Sequence, residues 1–361
     1  MAGKKNKRDA VVSIGAGVSQ LAVIKAAKEA GFGVIAVDRD AKAPGMPMAD
    51  AAVVSSTHDR IYLLKYLEGL EKDWAIRGIV ARTSAADALR TALAASRKYG
   101  LPGLDEELIS ISTDKSALRG FCGRRHLPFP ARACSARDYP VIVKPTVTIV
   151  GKTGIYLCGD ERALRFCTDP EVFVEVESFV EGIDVTCLYL AENGTAKALT
   201  WLDELVGVDI GGRIKGLGLS IPSVISGTRT ETRAFEIIKE LVSSFPKAAA
   251  LLLVSMRITM EGEPMLIEIH SDLGGDLIGD ELLPAACTGF DFFSLAVKVA
   301  TGASIETMTW PFRPAAVFYS EEPPGFTTLL SSDIRSNLIR IPIDGLSKGP
   351  RHLEWLDRNM T

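Results

Sequence analysis

The chain has 361 residues, of which 47% are hydrophobic and 24% are charged, and its formal net charge is -4. This length exceeds what one hydrophobic core normally supports, so we expect two or three domains. The slightly negative balance provides no basic field for a phosphate backbone, which excludes DNA and RNA as expected partners.

The amino-terminal region superficially resembles a signal peptide, because basic residues precede an apolar segment that begins at Val11. Gly15, Gly17 and Gln20 interrupt this segment and no convincing cleavage site follows, so secretion is not expected. The longest apolar run, residues 248–254, is too short to span a bilayer. Six cysteines without close spacing indicate reduced thiols. We therefore expect a cytoplasmic protein without a membrane partner.

The first hundred residues alternate between strand and helix patterns. The apolar run from Val11 to Ile14 ends in a glycine turn, a helix is predicted from Ser19 to Gly31, and a second strand ends at Asp38. A dinucleotide-binding turn requires glycine where Gln20 stands, so NAD(P) is a weaker alternative than a structural turn or a small-ligand crevice. This alternation predicts a mostly parallel sheet with covered faces, ending near residue 108.

Two lysines stand at positions suited to phosphate. Lys115 is in the first turn of a predicted helix, where an ammonium opposes the helix dipole unless an anion is nearby. Lys144 ends an apolar strand, and the following residues, 146–154, include a glycine-containing hairpin with Lys152. Such a segment is a plausible phosphate cradle. It is not a P-loop, because Thr146 replaces the first glycine of that motif and a strand follows.

An apolar strand that ends at His270 leads into an acidic, glycine-rich loop. Glu268 and His270 share one face of this strand, since side chains two residues apart point the same way. Gly274 and Gly275 permit a close backbone approach, and Asp276 follows them. Because Mg²⁺ is usually held by one or two carboxylates plus phosphate oxygens, the sequence predicts a magnesium site here.

The glycine-rich segment 202–226 allows two interpretations. With Arg213 and Lys215 as its cations it is either a substrate loop or a solvated loop. The last 60 or so residues, including 315–319 and 337–341, predict a small β-rich unit.

Taken in order, these motifs resemble the ATP-grasp superfamily, specifically the carboxylate-amine ligases that include L-amino acid ligases, and more distantly carbamoyl-phosphate synthetase and biotin carboxylase. The resemblance covers nearly the whole chain. The motifs that carry it are Gly15-Ala16-Gly17, Thr113-Asp114-Lys115, Val143-Lys144-Pro145, the segment from Glu177 to Asp184, and Glu268-Ile269-His270.

The resemblance implies a mixed α/β and α+β architecture. Its parts are a Rossmann-like parallel-sheet domain (1–108), a two-lobed ATP-binding region with a small lobe (109–182) and a large lobe (183–302), and a small C-terminal β-rich unit (303–361). It implies ATP as the nucleotide, with Mg²⁺ or, in its place, Mn²⁺.

The resemblance also implies residue roles. The nucleotide contacts are Lys115, Lys144, Lys152, Glu177, Ser178, Phe179, Val180 and Asp184, of which residues 177–180 hold adenine by backbone groups and Asp184 holds ribose. The catalytic residues are Lys144, Glu268 and Arg257. The metal ligands are Glu268, His270 and Asp272. The substrate-binding residues are Arg213, Lys215, Gly274, Gly275 and Asp276.

The reaction implied is ATP-dependent ligation of small molecules. A carboxylate, amino-acid-like or small-peptide-like, attacks the γ-phosphorus, and an amine captures the acyl phosphate with release of ADP and phosphate. A homodimer is left open.

Three departures from the family pattern leave a second hypothesis open. Ser255 and Met256 stand where the family has a further metal carboxylate, and Asp272 stands where it often has a carboxylate-binding arginine. Residues 146–150 are β-branched where the family has glycine and serine. Asp272 or Asp276 would have to replace the metal ligand, and Arg213, Lys215 or Arg257 the arginine. The alternative is a nucleotide-binding protein with a regulatory or interaction role.

Overall fold

The computed structural model describes residues 7–133, 138–147, 152–168, 172–209, 211–271, 273, 277–305, 310–319 and 326–330. Its strands are β1 (Arg8–Ile14), β2 (Gly33–Asp38), β3 (Ala51–Val54), β4 (Trp74–Ala81), β5 (Val141–Pro145), β6 (Tyr156–Cys158), β7 (Val174–Ser178), β8 (Gly182–Glu192), β9 (Thr195–Val208), β10 (Ile214–Ile221), β11 (Ala249–Thr259), β12 (Pro264–His270), β13 (Ala315–Tyr319) and β14 (Phe326–Leu330). Its α-helices are α1 (Leu21–Glu29), α2 (Arg60–Leu70), α3 (Ala86–Tyr99), α4 (Glu106–Thr113), α5 (Lys115–Arg125), α6 (Glu161–Cys167), α7 (Arg229–Ser243), α8 (Leu283–Ala286) and α9 (Phe292–Thr301).

The amino-terminal strands form a four-stranded parallel sheet in the order β3-β2-β1-β4. Strand β1 is central, and its residues from Ala10 to Ile14 are buried, as expected when helices cover both faces of a parallel sheet. The helix predicted from Ser19 begins at Leu21, after a short 3-10 turn.

A seven-stranded sheet, called the large sheet, has the order β12-β11-β8-β9-β10-β13-β14 and antiparallel pairing throughout. One face of β8 is polar at the start of the strand and apolar further along. Asp184 and Thr186 begin it, and Leu188 and Leu190 continue it into a hydrophobic core. The alternate residues of β8, including Val185, pack into a second core with α5 and α7. The polar start of that first face forms part of the site described below.

A three-stranded antiparallel sheet, called the small sheet, has the order β6-β5-β7. Strand β5 is its centre and carries Lys144. Helix α5, which begins at Lys115, contributes Ser116 and Arg119 to contacts with Glu175 of β7. These contacts position the small sheet beside the first turn of α5.

The glycine-rich segment 202–226 differs from the expected loop, because it contains the second half of β9 and the whole of β10 in the interior of the large sheet. The strands expected in the unit 303–361 exist at β13 and β14, but they extend the large sheet. The strand predicted at 337–341 lies outside the described residues, and the predicted domain boundaries remain predictions. No helix in the described ranges has the length and apolarity needed to cross a lipid bilayer.

Candidate functional site

A cavity of about 510 Å³ lies between the small and large sheets and extends to the end of β4. This volume is typical of a small-molecule site. Ten of the residues predicted for the site line it: Lys144, Lys152, Glu177, Ser178, Phe179, Val180, Asp184, Arg257, Glu268 and His270. The structure thus brings together segments that are up to 126 residues apart, from Lys144 to His270.

Three lysine ammonium groups at this cavity are each paired with a glutamate. Lys115 Nζ lies 2.8 Å from Glu268 Oε1, which joins Lys115 to the site. Lys144 Nζ lies 2.8 Å from Glu177 Oε2. Lys152 Nζ lies 2.9 Å from Oε2 of a glutamate on β9. The lysines come from α5, β5 and the segment before β6, whereas the acids come from β12, β7 and β9.

Lys144 is the most enclosed of the three lysines, with 4% of its side chain exposed. Burial lowers the pKa of its ammonium, against the opposing effect of the Glu177 carboxylate. Glu177 is the partner of Nζ, which has no other hydrogen-bond acceptor among the described residues. A buried ammonium in this state retains its donors for an anionic ligand.

Glu177 is held by a second cation that the sequence interpretation missed. Arg119 Nη2 donates to Glu177 Oε1 at 2.6 Å, and its Nε donates to Glu175 Oε2 at 2.9 Å. Burial opposes ionisation of Glu175, but Ser116, Arg132 and Arg119 together lower its pKa. The sequence did contain a feature that pointed to such a cation, namely two glutamates that alternate with valines in β7. Buried carboxylates on a strand require cationic partners.

The segment after β7 presents backbone groups to the cavity. The N–H of Ser178 donates to the carbonyl of Ala131 at 2.9 Å, and that of Phe179 donates to the carbonyl of Pro140 at 3.0 Å. The N–H of Val180 has no acceptor in the described part of the chain. Of these three backbone donors, the one of Val180 remains for a ligand.

Asp184 is fixed by Arg257, the residue directly opposite it on β11. Arg257 Nε lies 2.9 Å from Asp184 Oδ1, and Nη2 lies 3.4 Å from Oδ2. Arg257 Nη1 also donates to the carbonyl of Gly182 at 3.0 Å. A Cβ atom at Gly182 would lie 1.9 Å from the Ile258 carbonyl oxygen, so only glycine fits there. Arg257, predicted to be catalytic, is therefore committed to orienting Asp184.

The predicted metal ligands are only partly within the described residues. His270 Nε2 lies 3.8 Å from Glu268 Oε2, whereas Asp272, Gly274, Gly275 and Asp276 lie outside the described residues. In the described ranges no three His, Cys, Asp or Glu side chains are close enough to hold a metal ion. Magnesium does not need such a protein cage, because phosphate oxygens and water complete its shell. The carboxylate oxygens of Glu268 in a lysine-rich cavity fit that chemistry.

Glu204 of β9 is a cavity residue that the sequence interpretation missed. Its Oε1 accepts a hydrogen bond from Ser255 Oγ at 2.7 Å and another from Thr186 Oγ1, and its Oε2 is the partner of Lys152. Burial opposes ionisation, but Lys152 and these hydroxyls lower the pKa of Glu204 to about 2. The same pairing raises the pKa of Lys152 despite burial. The signal was the pair of adjacent acids, Asp203 and Glu204, in an apolar strand.

Arg82 is a second missed residue, and it lines the end of the cavity nearest the parallel sheet. It follows β4, and 5% of its side chain is exposed. Its Nη1 donates to Asp280 Oδ1 at 3.1 Å and to the Ser19 carbonyl at 2.7 Å, and its guanidinium lies over the Phe293 ring. Gln20 donates to the Arg82 carbonyl at 2.6 Å. The sequence feature that could have identified Arg82 was its position just beyond the carboxyl end of a parallel strand, where ligands commonly bind.

The cations predicted to bind substrate, Arg213 and Lys215, do not line the cavity. They flank the turn between β9 and β10, where Arg213 is exposed and Lys215 Nζ lies 3.9 Å from Asp209. Arg213, Lys215 and Arg257 were the cations considered to replace the family's carboxylate-binding arginine. Of these three, only Arg257 lines the cavity, and its guanidinium is paired with Asp184.

Comparison with known proteins gives similarity of structure but not of sequence. No protein-family profile matches the chain, and no curated protein matches its sequence. An L-amino acid ligase from Bacillus licheniformis has a TM-score of 0.68 at 16% identity, covering 87% of this chain and 80% of that chain. An N5-carboxyaminoimidazole synthetase from Staphylococcus aureus complexed with ADP has a TM-score of 0.68 at 14% identity, covering 92% and 96%.

A third similar structure is the biotin carboxylase domain dimer of a Hydrogenobacter thermophilus 2-oxoglutarate carboxylase, in complex with MgADP, ADP and bicarbonate. Its TM-score is 0.64 at 17% identity, covering 87% of this chain and 75% of that chain. The parallel sheet, the two antiparallel sheets and the cavity between them agree with this likeness. The chain has the fold of these ligases, the ATP-grasp fold that its sequence motifs predicted.

Proposed function

We propose that the protein is an ATP-dependent ligase that activates a small carboxylate as an acyl phosphate and joins it to an amine. The observation that carries this proposal is the set of three lysine and glutamate pairs at one cavity, with Lys144 buried and without an acceptor other than Glu177 among the described residues. Cationic donors of this kind stabilise the charge that develops during phosphoryl transfer.

The cavity wall supports one orientation of the nucleotide. Pro130, Ile142 and Phe179 provide apolar surface for adenine, and the N–H of Val180 provides a donor at the same end. Asp184 is oriented by Arg257, and carboxylate oxygens accept hydrogen bonds from ribose hydroxyls. The triphosphate then extends toward the three lysines.

Nucleotide binding would exchange the partners of these lysines. Without ligand, Lys115, Lys144 and Lys152 are neutralised by glutamates of the protein. Phosphate oxygens compete for the same ammonium groups, and every carboxylate released in this way is available to a cation. Glu268 is the residue best placed to hold Mg²⁺, which when bound neutralises phosphate charge.

The other end of the cavity supports a site for the reacting acid and amine. Arg82, Thr83 and Ser84 follow β4, and Ser19 and Gln20 approach from the turn after β1. Crevices at the carboxyl ends of parallel strands are common ligand sites. The substrate carboxylate attacks the γ-phosphorus and ADP leaves; the amine then attacks the acyl carbon and phosphate leaves. We infer amino-acid-like or small-peptide-like substrates.

Ser255 favours a second candidate function, a nucleotide-binding protein without turnover, because it stands where the family has a metal carboxylate. A screen of amino-acid pairs for ADP and phosphate release, with added Mg²⁺ or Mn²⁺, separates the two. Release that requires both a carboxylate and an amine supports the ligase. Thermal stabilisation by ATP without turnover for any pair supports the second candidate. Absence of any nucleotide-dependent stabilisation contradicts both.

A further inference from the structure

The position of Ser255 reveals how the site could compensate for its missing carboxylate. Ser255 lies directly opposite Glu268 in the pairing of β11 with β12, and its hydroxyl donates to Glu204 Oε1 at 2.7 Å. We propose that Glu204, from a different strand of the large sheet, supplies the second metal-binding carboxylate beside Glu268. This inference rests on the proposed nucleotide-binding function of the cavity.

The sheet register explains how Glu204 reaches this position. Strand β8 lies between β9 and β11, and it presents Thr186, which pairs directly with Ser255. Thr186 Oγ1 lies 2.8 Å from Ser255 Oγ, and both hydroxyls contact Glu204 Oε1. Two small side chains therefore leave room for the longer glutamate to lie across β8. An aspartate at position 255 would occupy the space that the Glu204 carboxylate now uses.

The second carboxylate oxygen of Glu204, Oε2, is already paired with a cationic group of the protein. Lys152 Nζ lies 2.9 Å from Oε2, and the carboxylates of Glu204, Asp184 and Glu268 all favour its charged form. One cation is thus attracted to Glu204 and Glu268 together. The buried ammonium of Lys144, with no acceptor besides Glu177 in the described ranges, faces the same cavity and provides an independent indication of an anionic ligand there.

Nucleotide binding would separate Lys152 from Glu204. Lys152 belongs to the segment predicted to hold phosphate, so phosphate binding draws its ammonium away from Glu204. A largely buried carboxylate without a counter-ion is strongly unfavourable, and Glu204 has 15% of its side chain exposed. Glu204, together with Glu268, would hold a divalent cation that arrives with the phosphates, and this cation would restore neutrality. A hard cation prefers this charged oxygen to the neutral hydroxyl of Ser255.

Binding of Mn²⁺ to the protein with ADP tests this assignment, with the unbound Mn²⁺ signal in electron paramagnetic resonance as the readout. We expect Glu204→Gln and Glu268→Gln each to weaken Mn²⁺ binding by at least about tenfold, with ADP affinity in EDTA changed less than about threefold. Glu236→Gln, on the exposed face of α7, is the matched control and should bind as the unmodified protein does.

Two further variants separate ligation from structural support. Returning the carboxylate to β11 in the double variant Glu204→Ala with Ser255→Asp, which also vacates the space that Glu204 fills, should restore Mn²⁺ affinity to within about threefold. Lys152→Met removes the ion pair but keeps the carboxylate, so its Mn²⁺ affinity should be retained or increased. Glu204→Asp preserves the charge and shortens the reach; it should fold and still lose Mn²⁺ affinity.

Unchanged Mn²⁺ affinity in a folded Glu204→Gln, beside a loss in Glu268→Gln, overturns the assignment and leaves the proposed function intact. Failure of the double variant to recover while Glu204→Asp binds normally also overturns it. If the unmodified protein binds ADP neither with nor without Mn²⁺, the proposed function itself fails.

Discussion

Lys144 Nζ lies 2.8 Å from Glu177 Oε2, and 4% of each side chain is exposed. Glu177 also accepts from Arg119, so its charge is compensated twice, whereas the Lys144 ammonium has no partner but Glu177 in the part of the chain that the structure describes. Because of this asymmetry, an incoming anion can pair with Lys144 while Glu177 keeps Arg119 as its partner. Lys144 is thus the group whose replacement tests the site most directly.

Lys144→Ala should weaken ADP binding by about 10- to 100-fold, because hydrogen bonds to charged groups contribute about 1.5–3 kcal/mol. Calorimetric titration with ADP measures the loss. Lys239→Ala removes an exposed lysine of α7 and is the matched control. Undiminished ADP affinity in Lys144→Ala would mean that phosphate is bound elsewhere.

The pH dependence of ADP binding should reflect the buried state of Lys144. Burial places the pKa of this ammonium below its usual 10.5 in the free protein, and a bound phosphate raises it. Binding therefore takes up a proton between the two pKa values, so affinity falls as pH rises through the lower one. Titrations at increasing alkaline pH, below the usual 10.5, should show this fall. Lys144→Arg should show a smaller one, since arginine stays protonated; equal slopes would contradict the assignment.

Asp184→Asn tests the ribose contact. The substitution retains the size of the side chain but loses the charge that Arg257 orients, so ADP affinity should fall about tenfold. Affinity for 2′,3′-dideoxy-ADP, which lacks both hydroxyls, should change much less. The ratio of the two dissociation constants is the measurement, and an equal loss for both nucleotides would assign Asp184 a structural role only.

Acid should remove the stabilisation that comes from Glu204. Its pKa is about 2 in the folded protein against an ordinary value of 4.5, so the stabilisation is present above pH 4.5 and is lost as pH falls toward 2. It amounts to at most about 3 kcal/mol. Denaturant unfolding at pH 6 and pH 3 should show the unmodified protein losing more stability than Glu204→Gln. Parallel losses would show that Glu204 titrates normally.

The sequence was sufficient for the parts of the fold and site that local patterns specify. The parallel sheet, the end of β2 at Asp38 and the strand position of Lys144 follow from periodicity and turn residues, and the structure confirms them. The ATP-grasp fold is confirmed by the solved structures that resemble it. Ten of the cavity residues were identified because they stand within short motifs or next to them.

Glu204 could not be found in this way, because its role depends on pairing across β8 with residues 51 positions away along the chain. Glycines in the segment 202–226 indicated a loop, yet Gly218 lies within β10, where a Cβ would be 2.3 Å from the Val317 carbonyl oxygen. The tertiary approach of β13 therefore explains that glycine. Arg82 was missed because its partner Asp280 is 198 residues distant.

Main-chain hydrogen bonds join the end of the turn between β9 and β10 to β6 and the residue before it. The N–H of Leu157 donates to the Gly212 carbonyl at 2.7 Å, and that of Ile214 donates to the Ile155 carbonyl at 2.9 Å. Gly212 has a φ of +79°, and a Cβ there would lie 2.5 Å from the Leu157 carbonyl oxygen. Such a connection places almost no demand on side-chain identity. Related chains could therefore vary freely at Arg213 and still preserve the mechanical link between the two antiparallel sheets, provided that they keep the glycine.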